Sequence, residues 1–263
     1  MPKAPDNLRE FSGLIKVVEF LRGPDGCPWD KEQTHETLTR FAIEEAHELV
    51  EAIDSGNQTE IRDELGDLLL QVVLHSEIAR QDKRFDIYDV IQAIGEKMVR
   101  RHPHVFGDVK AETSSEVLTN WAQIKAKEKG KDANQPLSFD IPQGLPSLIR
   151  AQKIGEKTTK VGFDWGNAAE CWPKIKEEVA ELEAAFKSGN TEDIESELGD
   201  VLFSLAQLAR HLNMDSEQAL RKTNQRFDAR FQRMQQKVMA DGKKWENLSA
   251  DEKEKYWKSA KER

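Results

Sequence analysis

Apolar residues recur along this chain at helical spacing. Ile175, Val179, Leu182 and Phe186 follow one another at intervals of four, three and four residues, which lines one face of an α-helix. Ser188-Gly189-Asn190 then interrupts the stripe, with Gly189 suited to end that helix and Asn190 to cap the next, which is marked by Leu198, Val201, Leu202 and Leu205. The same design stands earlier in the chain: Ile43, Leu49, Ala52 and Ile53, a second Ser-Gly-Asn, then Leu65, Leu68, Leu69 and Val72. Turns this short predict antiparallel helix pairs. Further helices are expected after Asp86, after Ser216 and after Ser249, where Ser249 and Glu252 form a capping box ahead of Tyr256 and Trp257. No segment alternates as a strand does, so the expected fold is all-α.

The two patterns are copies. Shifted by 133 residues, "EEAHELVEAIDSGNQTEIRDELGD" (44–67) aligns without a gap on "EEVAELEAAFKSGNTEDIESELGD" (177–200), with 13 of 24 positions identical. So long a period means a duplicated domain rather than a solenoid. Between the copies "EKGKDANQPLSFDIPQGLP" is polar and rich in proline and glycine, as a linker is. The expected organisation is an N-terminal domain at 1–135, a linker to about 146, and a C-terminal domain at 147–263.

Composition narrows the class. Charged residues make up 33% of the 263 positions and the net charge is −9, which argues against a nucleic-acid groove as the main business. The two cysteines, Cys27 and Cys171, cannot build a disulfide framework, and no charged-then-apolar leader precedes the first helix, so a reduced cytoplasmic setting is expected. "LLLQVVL" is far shorter than the roughly 18 apolar residues that suggest a membrane span.

Acids then change the picture. Glu178 and Glu181 stand about 60° apart on their helix, as do Glu197 and Asp200 on the next, so each pair shares a face at the border of the apolar stripe. Antiparallel packing lets the pairs converge into four carboxylates. Two like charges about 4 Å apart repel by about 4 kcal/mol at an effective dielectric of about 20, so such a cluster calls for cations or protons. With neither histidine nor cysteine among the four, the oxygen donors favour magnesium or manganese over zinc. Glu45, Glu48, Glu64 and Asp67 repeat the arrangement in the first half.

The second half also carries a basic row, Lys222, Arg226, Arg230 and Arg233, beside Phe227, Phe231 and Met234. Arginine forks suit phosphate oxygens, and Trp257, Trp165 and Phe163 are candidates to stack on a base. The first half has Lys97, Arg100 and Arg101. His102 and His104 read as a capped turn rather than as metal ligands.

Glu-Glu-x-x-Glu, a turn, then Glu-x-x-Asp, present as "EEVAE…ELGD" and "EEAHE…ELGD", resembles the MazG nucleoside triphosphate pyrophosphohydrolases, as do "GCPWD", "RRHPHVFGD" and "VGFDW". The resemblance spans nearly the whole chain. It implies duplicated all-α domains forming four-helix-bundle-like cores in a homodimer, and magnesium-dependent cleavage of nucleoside triphosphates, ATP and deoxynucleotides included, to monophosphate and pyrophosphate in nucleotide-pool house-cleaning. It also implies that Glu178, Glu181, Glu197 and Asp200 are the metal-binding catalytic residues, that Lys174, Arg226, Arg230 and Trp257 surround the nucleotide, and that the second half dominates. Glu177, left outside the metal set, joins the substrate-binding residues and is one candidate for the general base. Two rival readings are a di-iron carboxylate protein, from Glu44-x-x-His47, and a non-catalytic helical scaffold. The first lacks a second Glu-x-x-His, since Ala180 stands where the repeat would need histidine.

Overall fold

A computed structural model describes residues 3–128 and 139–261. The chain divides into two compact units, Met1–Asn134 and Gln135–Arg263. The expected boundary near residue 135, and linker residues 129–138 with it, lie outside the described residues. Among the described residues every regular element is helical.

The first unit contains α1 (Phe11–Arg22), α2 (Pro28–Glu32), α3 (His35–Ser55), α4 (Gln58–Gln81), α5 (Ile87–Arg101), α6 (Pro103–Phe106) and α7 (Ser114–Glu128). The second contains α8 (Ser147–Thr159), α9 (Ala168–Ser188), α10 (Thr191–His211), α11 (Ser216–Ala240), a 3₁₀ turn at Trp245–Asn247 and α12 (Ala250–Ser259). The α3–α4 and α9–α10 pairs are the two hairpins expected from the repeat, and their turns are built alike. Gly56 and Gly189 take φ of 74° and 75°, the left-handed conformation that closes a helix most easily without a Cβ. Asn57 and Asn190 then cap the following helices, each accepting a bond from the backbone N–H two residues on. Asp86 and Ser249 cap α5 and α12 with capping boxes. The cap of α11 is Asp215, one residue before the expected Ser216, whose hydroxyl instead donates to Gln152 on α8 at 2.9 Å.

The core lies at one end of each hairpin. Val73, Leu74 and Ile78 of α4 pack with Val18, Leu38 and Ile87, while Leu208 of α10 packs with Cys171 and Ile175. Helices α1 and α8 cover those ends, and no periodicity in the sequence had singled out α8. At the other end the stripe expected to be core is open within the single chain. Ile175 is buried, but Val179, Phe186, Leu198, Leu202 and Leu205 are exposed, Phe186 by 74%, and Ile43, Ile53, Leu65 and Leu69 repeat the exposure in the first unit. The reason is geometric: a two-helix hairpin with one covering helix has more apolar surface than it can hide.

Helices α8 and α10 touch at Gly155, where an added Cβ would lie 1.9 Å from Gln207 Oε1 and 2.6 Å from Arg210 Nε. Gln207, 1% exposed, donates to the Ala151 carbonyl at 2.7 Å and accepts from Arg210 at 2.9 Å. Arg210 in turn holds Asp164 through two bonds of 2.5 and 2.9 Å, and His211 and Thr159 join the same carboxylate. These partners, Arg210 foremost, keep the Asp164 carboxyl well below the usual carboxylate range. They lock the turn between α8 and α9 onto the end of α10. Gly155→Ala is therefore expected to push Gln207 off its carbonyl and destabilise the protein by about 1–3 kcal/mol, read as a lowered melting temperature.

Candidate metal and nucleotide site

The four second-half acids sit on the part of the α9–α10 hairpin farther from the core. Carboxylate oxygens of Glu178, Glu197 and Asp200 lie within 4.8 Å of one another. Their environments grade from the helix interface outward: Glu178 is buried at 6% exposure, Glu197 is half-buried and Asp200 is exposed. Glu181 lies beside this group rather than within it. Partial desolvation and then the neighbouring Glu178 carboxylate, with Glu197 adding to it, push its carboxyl above the ordinary value, and Lys174 opposes them. Lys174 supplies the countercharge, its Nζ standing 2.8 Å from Glu178 and 2.9 Å from Glu177. Those two carboxylates hold its ammonium above the usual lysine range.

In the first unit Glu45, Glu48 and Glu64 converge likewise within 4.8 Å. Asp67 is felt by both Glu45 and Glu64, whose carboxyls are raised by desolvation first and by their acidic neighbours next. Glu44 and His47 lie outside this group and both are exposed. The lysine has no counterpart here: one repeat earlier, Phe41 occupies the place of Lys174. Either cluster offers only oxygen donors packed closely enough to share a cation, which is the donor chemistry of magnesium or manganese.

Arg226, Arg230 and Trp257 surround a different feature, an open cleft of about 480 Å³ between α11 and α12 lined also by Phe227 and Arg233. The Arg230 guanidinium lies 3.6 Å from the centre of the Trp257 ring and donates to the Trp257 carbonyl at 3.0 and 2.6 Å. Phe227 stands 4.9 Å from the same ring, and Arg226 donates to Thr223. None of the four acids lines this cleft. The structure thus gathers the acids with Lys174 and Glu177, and gathers Arg226, Arg230 and Trp257, as two groups on one unit. Of the other aromatic candidates, Trp165 packs on the Cys171 cluster and against His211, which makes it core, while Phe163 is 77% exposed. His102 Nδ1 donates to the Met98 carbonyl at 2.6 Å, where α5 gives way to α6, as a capped turn requires.

A family model described as "MazG nucleotide pyrophosphohydrolase domain" matches the chain twice, over residues 33–106 and 168–235. The chain belongs to the MazG family. Both matched segments contain an acid hairpin, so the duplication is one of whole family domains. A nucleoside triphosphate pyrophosphohydrolase/pyrophosphatase MazG of Thermotoga maritima is 43% identical over 95% of this chain and 95% of its own. A nucleoside triphosphate pyrophosphohydrolase of Escherichia coli K12 is 41% identical over 97% of this chain and 98% of its own. One from Mycolicibacterium smegmatis is 38% identical over 57% of this chain and 46% of its own.

The raised carboxyls add one component to the pH response of the chain when no metal is present, opposite in sign to that of lowered carboxyls such as Asp164. A carboxyl that binds protons more readily folded than unfolded stabilises the fold at low pH, and that contribution is lost as pH rises through the raised folded value. The Glu181 carboxyl behaves so, and Glu45 and Glu64 with it. Glu181→Gln, melted in chelator across pH 4 to 8, should flatten this loss and leave the melting temperature at neutral pH no lower than the parent's. A clear drop at neutral pH would make Glu181 a structural partner.

Proposed function

We propose that this MazG enzyme hydrolyses nucleoside triphosphates, ATP and deoxynucleotides among them, between the α- and β-phosphates to a monophosphate and pyrophosphate, with the second unit as the main catalytic half. The relatives at 41–43% identity bear that activity in their names. The observation that carries the reading is the oxygen-only cluster of Glu178, Glu197 and Asp200 beside Glu181, with Lys174 already lodged among the acids as a cation. Magnesium is the ion assigned to these four carboxylates, and manganese fits the same donors. Bound there, the metal supplies Lewis-acid neutralisation of the triphosphate and lowers the pKa of the attacking water.

The remaining work falls to the chain's own side chains. Lys174 exchanges the Glu178 carboxylate for a phosphate oxygen, one anion for another, by rotation of a flexible stem. Glu177, exposed and paired with Lys174, steadies that stem from the solvent side. Arg226 presents forked donors to the leaving phosphates, Arg230 joins it by giving up its bonds to the Trp257 carbonyl, and that move uncovers the Trp257 ring for the base. No glycine-rich phosphate loop of the G-x-x-x-x-G-K-[ST] type occurs in the sequence, so the phosphates are held by side chains. The reading places the enzyme in the cytoplasm, clearing unwanted nucleotides from the pool. Among the described residues no helix is long and apolar enough to cross a membrane.

A homodimer belongs to the same proposal. The open stripes of α9–α10 and α3–α4 are contiguous with the acid clusters, and a second copy placed on them completes a four-helix arrangement. Light scattering at micromolar concentration is expected to give twice the 30.0 kDa chain mass. A monomer would remove this part of the proposal.

The chemistry is tested with ATP, magnesium and ¹⁸O-water. AMP and pyrophosphate are the expected products, with the label in AMP. Glu197→Gln is expected to lower turnover by at least about a hundredfold, whereas Glu64→Gln lowers it only a few-fold, since loss of a catalytic metal ligand removes stabilisation made in the transition state. Arg230→Ala should weaken binding, with Arg230→Lys restoring part of it as a point charge. Release of labelled orthophosphate, in a preparation free of inorganic pyrophosphatase, would overturn the assignment of the bond.

A further inference from the structure

The two units end alike. In each, the helix after the acid hairpin begins at a capping aspartate, and Lys97 and Arg101 stand as far beyond Asp86 as Arg226 and Arg230 stand beyond Asp215. In each, a later helix begins at a hydroxyl cap followed three residues on by a glutamate: Thr113 with Glu116, and Ser249 with Glu252. Trp121 lies as far past Thr113 as Trp257 lies past Ser249. The first unit therefore carries counterparts of Arg226, Arg230 and Trp257, brought to the same pair of helices by the same caps.

Their contacts differ. In the second unit Arg230 spends its donors on the Trp257 carbonyl and lies over that ring. In the first unit the last residue of α7, Glu128, takes the arginines: Arg100 Nε at 2.7 Å on one carboxylate oxygen and Arg101 Nη2 at 2.6 Å on the other. The Glu128 and Arg101 side chains are 21% and 24% exposed and that of Arg100 is 53% exposed, so the clamp is open to solvent on the Arg100 side. The two guanidiniums hold the Glu128 carboxyl down to about 2, so it is ionised throughout the physiological range. Next along the chain from Arg101, His102 packs edge-on against the Trp121 ring with centroids 5.0 Å apart, and the indole Nε1 of Trp121 and the Nδ1 of His104 are shielded from solvent and find no hydrogen-bond partner among the described residues.

A carboxylate held by two guanidiniums, through Nε of Arg100 and through Nε and Nη2 of Arg101, makes contacts that a phosphate could make in the same place. One carboxylate against Arg100 and Arg101 leaves a positive charge, to which Lys97 adds, so the spot still attracts a more highly charged anion. We propose that Lys97, Arg101 and Trp121 form a second nucleotide-binding subsite in the first unit, and that the Glu128 carboxylate occupies its phosphate position until a nucleotide displaces it. The proposal rests on the assignment of Arg226, Arg230 and Trp257 made above, because the comparison of the two ends is what gives Lys97, Arg101 and Trp121 their meaning. Phe41 at the place of Lys174 leaves this half without the phosphate lysine, so the property expected of it is binding rather than efficient turnover.

Calorimetry on the full-length chain decides the matter, using magnesium and an ATP analogue with a methylene group between the α- and β-phosphates. Arg230→Ala silences the second-unit subsite and serves as the background. Replacing Glu128 by Gln in that background removes the internal competitor, and if the clamp leaves the subsite open about 1–10% of the time, affinity rises about tenfold to a hundredfold. Adding Arg101→Gln or Trp121→Phe should abolish the gain. Glu128→Asp, which keeps the charge but shortens its reach, is the second variant and is expected to gain an intermediate amount. No gain in either Glu128 variant overturns the proposal, as does a gain that survives Arg101→Gln. The second-unit assignment is judged separately: Arg230→Ala in the otherwise unaltered chain must lower analogue affinity, and unchanged affinity there would remove that assignment whatever the Glu128 variants do.

Discussion

Repulsion among carboxylates crowded at one part of a helix hairpin is the constraint around which each unit is arranged. Four acids on two facing helices cannot all stay ionised beside apolar side chains without a compensating charge. The two units answer this differently. The second places Lys174 on Glu178, a nearly buried acid, and so carries an internal cation. The first has Phe41 at that place, and its Glu45 and Glu64 respond by holding protons more tightly than carboxyls ordinarily do. A divalent cation would relieve either, which fits clusters in a family of metal-dependent hydrolases better than it fits stabilising features of a fold.

The same crowding explains where the hydrophobic core is. Buried residues gather in the later part of α4 and α10, among them Val73, Leu74, Ala206 and Leu208, while the acids occupy the earlier part. Charge and core are separated along one helix, and the apolar residues interleaved with the acids remain open. A surface of that kind favours association, and this is the ground for the homodimer proposed above. The Asp164–Arg210–His211 network anchors the opposite end and keeps α8, α9 and α10 in fixed relation.

Duplication let the halves diverge without losing the plan. Caps, turns and acid spacing persist, whereas two arginines at matching positions have different partners: Arg230 rests on an aromatic ring and Arg101 on a carboxylate. That is a change in a few side chains on a retained scaffold, and it is enough to give one half an accessible cleft and the other a clamp.

The sequence by itself determined the local order of this protein. Helical spacing, Ser-Gly-Asn turns and capping residues are short-range signals, so the hairpins, the all-α class and the repeat were legible from it, as was the sharing of a face by Glu197 and Asp200. The MazG family was legible too, because its acids are spaced by helix geometry. Tertiary structure alone decided which of the apolar stripes is core: Ile175 and Val179 belong to one periodicity, yet Ile175 is buried and Val179 stays 40% exposed. It also made Asp215 rather than Ser216 the cap and packed a partly buried Trp165 against the core. The Glu128 clamp lay beyond sequence reading for the same reason. Periodicity fixes direction around a helix axis, but which side chains meet across helices depends on how the helices are packed, and that is set by contacts far apart in the chain.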